Sequence, residues 1–321
     1  MTRIAVLDDY QKVAASMADW STLDEECKVD FFHENIPGGD EAAAKLADYD
    51  VICLMRERMK MPADLLARLP KLKLVVATGT NARMIDLDAA AAQGITVCGT
   101  GGGQGGVATP ELAWALILAA SRHLVDEHAN VRAGRWQESV GTALNGGTLG
   151  LVGLGRLGRK MVPVAKAFGM RVLAWSPNLT PERAAEGGAE FAEKETLFRE
   201  ADAVSIHLVL GPRTRGLVGE GDLLLMKPGA ILVNTSRGPI VDEAALLAAL
   251  QEGRIRAGLD VYDVEPLPRE HPLRRAPNVV LSPHLGYVTQ AGYAEFYEGM
   301  VEDIRAWRQG SPVRVLAAPA G

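Results

Sequence analysis

Thr148-Leu149-Gly150-Leu151-Val152-Gly153-Leu154-Gly155-Arg156-Leu157-Gly158 decides the reading of this chain. Residues 148–152 form a nearly unbroken apolar run, as a strand buried on both faces of a parallel sheet requires. Residues 153–158 fit G-x-G-x-x-G, and 157–168 reads as a helix stopped by Gly169. In such a strand–turn–helix unit each glycine has its own duty. Gly153 permits the tight turn, Gly155 lets the backbone approach a pyrophosphate, and Gly158 lets helix and strand pack closely. Phosphate oxygens would then meet the free N–H groups of the turn, at Arg156 and Leu157, and of the helix start.

The same alternation extends in both directions. Upstream, strands are expected over 4–7, 29–32, 51–55, 74–77 and 96–98, with helices over 40–47 and 86–93 between them. Downstream of 148–152, strands are expected over 171–175, 203–207, 230–234, 257–261 and 279–281, with a helix over 242–251. A final helix is expected over 289–308, returning to the first domain, before a frayed tail at 317–321. Gly99-Thr100-Gly101-Gly102-Gly103-Gln104-Gly105-Gly106 reads as a domain crossing, too rich in glycine for an element interior. A long apolar helix over 110–124 follows it. The fold class is therefore α/β, with two doubly wound parallel sheets.

Composition narrows the function classes. At 321 residues two domains are expected. A net charge of -6 argues against broad nucleic-acid binding. The apolar stretch 112–120 is too short to span a membrane, and Asp8 and Asp9 interrupt any signal-peptide core. Cys27, Cys53 and Cys98 are far apart and beside strand-like sequence. They read as buried free thiols, with no metal site, in a reducing cytoplasm.

The adenosine end of the cofactor site is expected after the strand at 171–175. That strand runs into Ser176-Pro177-Asn178, with no Asp or Glu to hold a ribose diol and no adjacent Arg, Arg183 being the nearest downstream. Ser176 donates to a hydroxyl without repelling a 2′-phosphate. Relaxed selectivity is expected, with NAD preferred and NADP accepted.

Three charged residues follow later strands, at the ends where open α/β sheets bind ligands: Arg237, Glu265 and His284. Around them the sequence resembles the D-isomer-specific 2-hydroxyacid dehydrogenase family. The resembling segments are Asn234-Thr235-Ser236-Arg237-Gly238-Pro239-Ile240-Val241-Asp242, Gly258-Leu259-Asp260-Val261 with Glu265-Pro266-Leu267, and Ser282-Pro283-His284-Leu285-Gly286. With the glycine turn they stand in the family's order and cover most of the chain.

The resemblance implies a Rossmann-type NAD(P)-binding domain, 101–290, inserted into a smaller flavodoxin-like substrate domain, 1–100 with 291–321. It implies an active site in the cleft between them and a homodimer. Arg237, Glu265 and His284 are its implied catalytic trio. Asp260 is implied near the nicotinamide carboxamide, and Thr78, Gly79 and Thr80 at the substrate carboxylate together with Arg237 and His284. Ser176, His207, Thr235 and Gly286 join the glycine turn as expected cofactor neighbours. The run Thr78-Gly79-Thr80-Asn81-Ala82-Arg83-Met84 departs from the family's usual loop, so Asn81 and Arg83 are candidate extra contacts. Arg56 reads equally as a substrate contact or a structural residue.

The chemistry supports these roles. Reduction of a 2-keto acid needs a hydride to the carbonyl carbon and a proton to the developing alkoxide. NAD(P)H supplies the first. A histidine acid supplies the second, typically about 10²–10⁴-fold in rate. A carboxylate such as Glu265 about 4 Å from the ring offers about 4 kcal/mol at an effective dielectric near 20, favouring the imidazolium. Arg237 grips the substrate carboxylate and polarises the keto oxygen. A chain ending soon after its last helix suits a small 2-keto-acid reductase better than a phosphoglycerate dehydrogenase with a regulatory domain. The alternative, from a different class, is an NAD-sensing corepressor-like interaction protein on the same fold.

Overall fold

A computed structural model describes residues 1–102 and 105–318. Its strands are β1 Thr2–Val6, β2 Cys27–Phe31, β3 Val51–Leu54, β4 Leu74–Ala77, β5 Thr96–Gly99, β6 Thr148–Val152, β7 Arg171–Trp175, β8 Glu190–Phe191, β9 Ala203–Ile206, β10 Ile231–Asn234, β11 Arg256–Leu259, β12 Val279–Leu281 and β13 Val315–Ala317. The segments Met1–Gln104 and Thr289–Gly321 make one compact unit, and Gly105–Val288 a second.

The first unit holds a sheet of order β13-β5-β4-β3-β1-β2. Strands β1 to β5 are parallel, in the 2-1-3-4-5 order of flavodoxin-like folds. Every residue of β3, β4 and β5 is buried, which is why these strands read as uninterrupted apolar runs. Leu7, Leu46, Ile52, Leu54, Leu66, Val75 and Val97 belong to the core around them. Asp86 caps the helix Leu87–Ala92 by accepting from the Ala89 N–H. The helix Gln290–Arg308, capped by Thr289, packs on β4 and β5 with Phe296, Tyr297, Met300 and Ile304 buried.

The second unit holds a parallel sheet of order β12-β11-β10-β9-β6-β7-β8. Counted from β6 as the first strand, this is the Rossmann order 3-2-1-4-5-6 with β12 added beside β11. Side chains alternate between two cores. Leu149, Leu151, Ile231 and Val233 meet the helices Gly105–Ser121 and Gly158–Ala167 through Trp114, Ile117, Met161 and Ala165. Val152, Val204, Ile206 and Leu232 meet Leu197, Phe198, Leu246 and Leu250 on the other face.

Several sequence expectations are corrected. The apolar helix starts at Gly105, not 110, so Gly105 and Gly106 lie in a helix and Pro110 sits inside it. The Arg156 guanidinium lies against Gly106, where a Cβ would stand. That helix ends at Ser121, and a second one, Leu124–Arg132, was not expected. Ala317 is not frayed: β13 pairs antiparallel with β5. Cys53 and Cys98 are buried free thiols, but Cys27 is only half-buried and accepts from Arg308 Nη1 at 3.0 Å. Gly103 and Gln104 of the crossing, and the tail from Pro319, lie outside the described residues.

Candidate active site

The glycine turn follows β6 directly. Gly153 has φ +107°, which a side chain would strain, and a Cβ there would stand 2.7 Å from the His207 carbonyl oxygen. A Cβ at Gly158 would overlap the Gly153 carbonyl, so strand and helix touch through bare backbone. A Cβ at Gly155, by contrast, would meet nothing within 4 Å. That leaves open space at the turn before the helix Gly158–Ala167.

The ends of the neighbouring strands present orphaned polar atoms. His207, after β9, bonds Ser205 Oγ through Nε2 at 2.9 Å, while its buried Nδ1 has no partner among the described residues. Burial pushes this imidazole down to about 4, so it is neutral at pH 7. Thr235 Oγ1, after β10, is likewise buried without a partner. Open backbone at a helix start and two unsatisfied groups on adjacent strand ends fit a dinucleotide. After β7, Ser176 is half-buried, and Arg183 reaches back so that its Nη1 donates to the Asn178 carbonyl at 3.2 Å. The sequence alone gave no sign of that approach.

The three charged residues gather within the second unit. Arg237 follows β10, where the Asn234 amide braces the turn by donating to the Arg237 carbonyl at 2.9 Å. Glu265 Oε1 accepts the Tyr262 N–H at 2.9 Å, and Oε2 accepts from His284 Nδ1 at 2.6 Å. The His284 and Glu265 side chains are 19% and 30% exposed, so the pair is shielded without being sealed. Burial pushes the Glu265 carboxyl up, but the His284 bond and charge, the Tyr262 N–H and the Arg237 charge outweigh it. The carboxyl is held below its ordinary value. With Nδ1 engaged, His284 Nε2 has no partner among the described residues and is free for a ligand.

The turn that carries His284 is fastened from beneath. Asp260, at the end of β11, is fully buried, and burial pushes its carboxyl up. It accepts from Ser282 Oγ at 2.6 Å, the Leu285 N–H at 2.7 Å and the Gly286 N–H at 2.9 Å. Tyr262 donates its hydroxyl to the Ser282 carbonyl at 2.9 Å, and Tyr287 meets the His284 ring edge-on at 5.6 Å. Sequence reasoning missed Tyr262, Ser282 and Tyr287. The only signal for them was position: Ser282 opens the segment that carries His284, and Tyr262 and Tyr287 directly follow resembling segments.

Thr78, Gly79 and Thr80 follow β4 in the first unit. Thr78 Oγ1 accepts the Arg56 N–H at 2.5 Å, and the Gly79 N–H donates to Thr100 Oγ1 at 3.1 Å. A Cβ at Gly79 would stand 2.7 Å from Arg56 Nη1, so Arg56 lies across this loop. Asn81 and Arg83 line a small pocket with Arg56 and Thr78. Thr80 is exposed.

Comparisons with known proteins place the chain in a family. Residues 114–286 match the model of the D-isomer specific 2-hydroxyacid dehydrogenase, NAD binding domain. The glyoxylate reductase of Thermococcus litoralis is 43% identical over 253 residues, covering 76% of this chain and 75% of that one. The D-3-phosphoglycerate dehydrogenase of Archaeoglobus fulgidus is 36% identical over 280 residues, 86% of this chain but 52% of its own length. The crystal structure of phosphoglycerate oxidoreductase from Vibrio cholerae superposes with a TM-score of 0.90 at 37% identity, covering 97% of this chain and 100% of that one. The chain belongs to the D-isomer-specific 2-hydroxyacid dehydrogenase family, NAD-dependent oxidoreductases that interconvert 2-keto acids and D-2-hydroxy acids.

Proposed function

We propose that the chain reduces a small 2-keto acid, of the size of glyoxylate or hydroxypyruvate, with His284 as the proton donor. One observation carries the reading: His284 Nδ1 is held 2.6 Å from Glu265 Oε2 at the strand ends, leaving Nε2 to face a ligand. When bound, the nicotinamide cofactor supplies the hydride. His284 gives a proton from Nε2 to the substrate oxygen as it becomes an alkoxide and recovers it in the reverse direction. Glu265, ionised at neutral pH, fixes the tautomer and balances the imidazolium charge. Arg237 grips the substrate carboxylate and polarises the keto group. Thr80 would offer the carboxylate its N–H and hydroxyl and Thr78 its hydroxyl hydrogen, while Gly79, its N–H donated to Thr100 Oγ1, shapes the loop that Arg56 stiffens.

For the cofactor, Gly153, Gly155, Arg156, Leu157 and Gly158 would hold the pyrophosphate and Ser176 the ribose. His207, Thr235, Asp260 and Gly286 would line the rest. Lacking a carboxylate after β7, and with Arg183 folded onto Asn178, the site would accept NADPH beside the preferred NADH. A small substrate is supported by the glyoxylate reductase named among the relatives. These relatives bear enzyme names and do not favour the corepressor reading. We also read the chain as a cytoplasmic homodimer: its cysteines are free, and the second unit exposes an apolar excursion at Leu124, Trp136 and Val140.

The test is NADH and NADPH oxidation followed at 340 nm with a panel of 2-keto acids. Glyoxylate and hydroxypyruvate should turn over fastest. NADH should lead NADPH by well under about a thousandfold in kcat/KM, a gap of about 4 kcal/mol. Inertness across the panel with NADH still bound would overturn the reading.

A further inference from the structure

We propose that Thr109 is a positioning residue for the reaction: its hydroxyl, bonded to the Gly286 carbonyl, holds the turn that presents the His284 imidazole. The proposal rests on His284 being the acid. His284 has φ +56°, a left-handed conformation that a residue with a side chain abandons unless its surroundings hold it. Asp260 does part of the holding. Through the Leu285 and Gly286 N–H groups it fixes the two peptide planes after His284.

The next plane, joining Gly286 to Tyr287, is fixed by Thr109, whose Oγ1 donates to the Gly286 carbonyl at 2.7 Å. A glycine at this joint allows many orientations of that plane, so the bond has something to decide. Tyr287 takes its direction from the same plane and backs the His284 ring edge-on.

Three further observations support the assignment. A threonine hydroxyl inside a helix can bond back to its own helix, whereas Thr109, in the second turn of its helix, bonds to a residue 177 positions away. The fit is also tight: a Cβ at Gly286 would stand 3.2 Å from Asp260 Oδ2 and 3.3 Å from Thr109 Oγ1. The placement is apt as well. Thr109 lies just after the chain enters the second unit, and Gly286 just before it leaves at Val288. The bond therefore fastens the departing segment to the helix that opens the unit.

The experiment compares Thr109→Val, which keeps the shape and removes the donor, with Thr109→Ser, which restores it. Melting temperature, NADH Kd by fluorescence, and kcat and KM are measured, with His284→Ala as the control. Thr109→Val should keep its fold and its NADH affinity, with KM little changed and kcat down about five- to tenfold, as loss of one hydrogen bond at a catalytic group predicts. Thr109→Ser should recover kcat to within about twofold. Wild-type kcat in Thr109→Val, with His284→Ala dead, overturns the positioning role alone. Weakened NADH binding and a lowered melting temperature in proportion to kcat would show a merely structural role and also overturn it. An active His284→Ala would instead remove the acid reading on which the proposal stands.

Discussion

An imidazole donates a proton usefully from one tautomer in one orientation, and on the role proposed for His284 two carboxylates would divide that work. Glu265 binds Nδ1 and so fixes which nitrogen faces outward, while Asp260 never touches the ring and fixes the backbone beneath it. His284→Ala should therefore abolish turnover with 2-keto acids while leaving the NADH Kd, read by fluorescence titration, nearly unchanged. Wild-type kcat in that variant would falsify the acid role. The trio was legible in the sequence because each member follows an apolar strand at the end where such sheets bind ligands. Thr109 and Tyr262 were not. What they do depends on hydrogen bonds to residues far along the chain or across a turn, and no local pattern records those. Arg183 is the nearest arginine downstream of β7 but not adjacent to it in sequence, and the short helix Pro181–Glu186 turns its guanidinium back onto Asn178.

Among the elements, the strands buried on both sides were read closely. β4 and β6 begin and end where the apolar runs do, because a central parallel strand is nearly apolar throughout, and β7 and the edge strand β12 also keep their expected bounds. Two other edge strands were less legible. β8 has two residues and β13 three, and each pairs on one side only, so neither needs the continuous pattern that marks a core strand. β13 is nevertheless tied into the first unit by a buried group. Asp303, fully buried on the helix Gln290–Arg308, pairs with Arg314 at 2.9 Å, while its Oδ2 has no hydrogen-bond partner among the described residues. Burial pushes this carboxyl up to about 7 against the opposing pull of Arg314. An unfolded aspartate titrates near about 3.9. Between those values the folded chain keeps a proton that the unfolded chain has released. The contribution is full below the unfolded value and is lost as pH rises through the folded one. Asp303→Asn carries a neutral amide throughout. Its melting temperature should fall less than that of the wild type between about pH 5 and 8. Parallel curves for the two proteins would show that the proton is not held at Asp303.

For the whole molecule, the segment that supports a homodimer is the one whose folding the chain alone explains least. The helix Leu124–Arg132 has no buried residue, and a helix this short is marginal in water without an apolar face packed on something. The chain returns along it, with Ser139 donating to Glu127 Oε1 at 2.6 Å and the Thr142 N–H to the Ser121 carbonyl at 2.8 Å. These bonds give the excursion a course but no core. It exposes Leu124, Val125, Val131, Trp136 at 74% and Val140 at 91%, more large apolar side chains than a lone surface segment needs. A second copy of the chain burying this face would satisfy both the helix and the exposed tryptophan, since a two-fold interface meets itself. Light scattering should accordingly give twice the chain mass of 34.3 kDa. The double variant Trp136→Asp, Val140→Asp should shift the population toward monomer, because paired burial of apolar surface becomes burial of like charges across the two-fold axis. Its NADH affinity should persist, because the glycine turn lies elsewhere in the second unit. A wild-type chain that runs as a monomer at micromolar concentration would leave the excursion without the partner argued for it here.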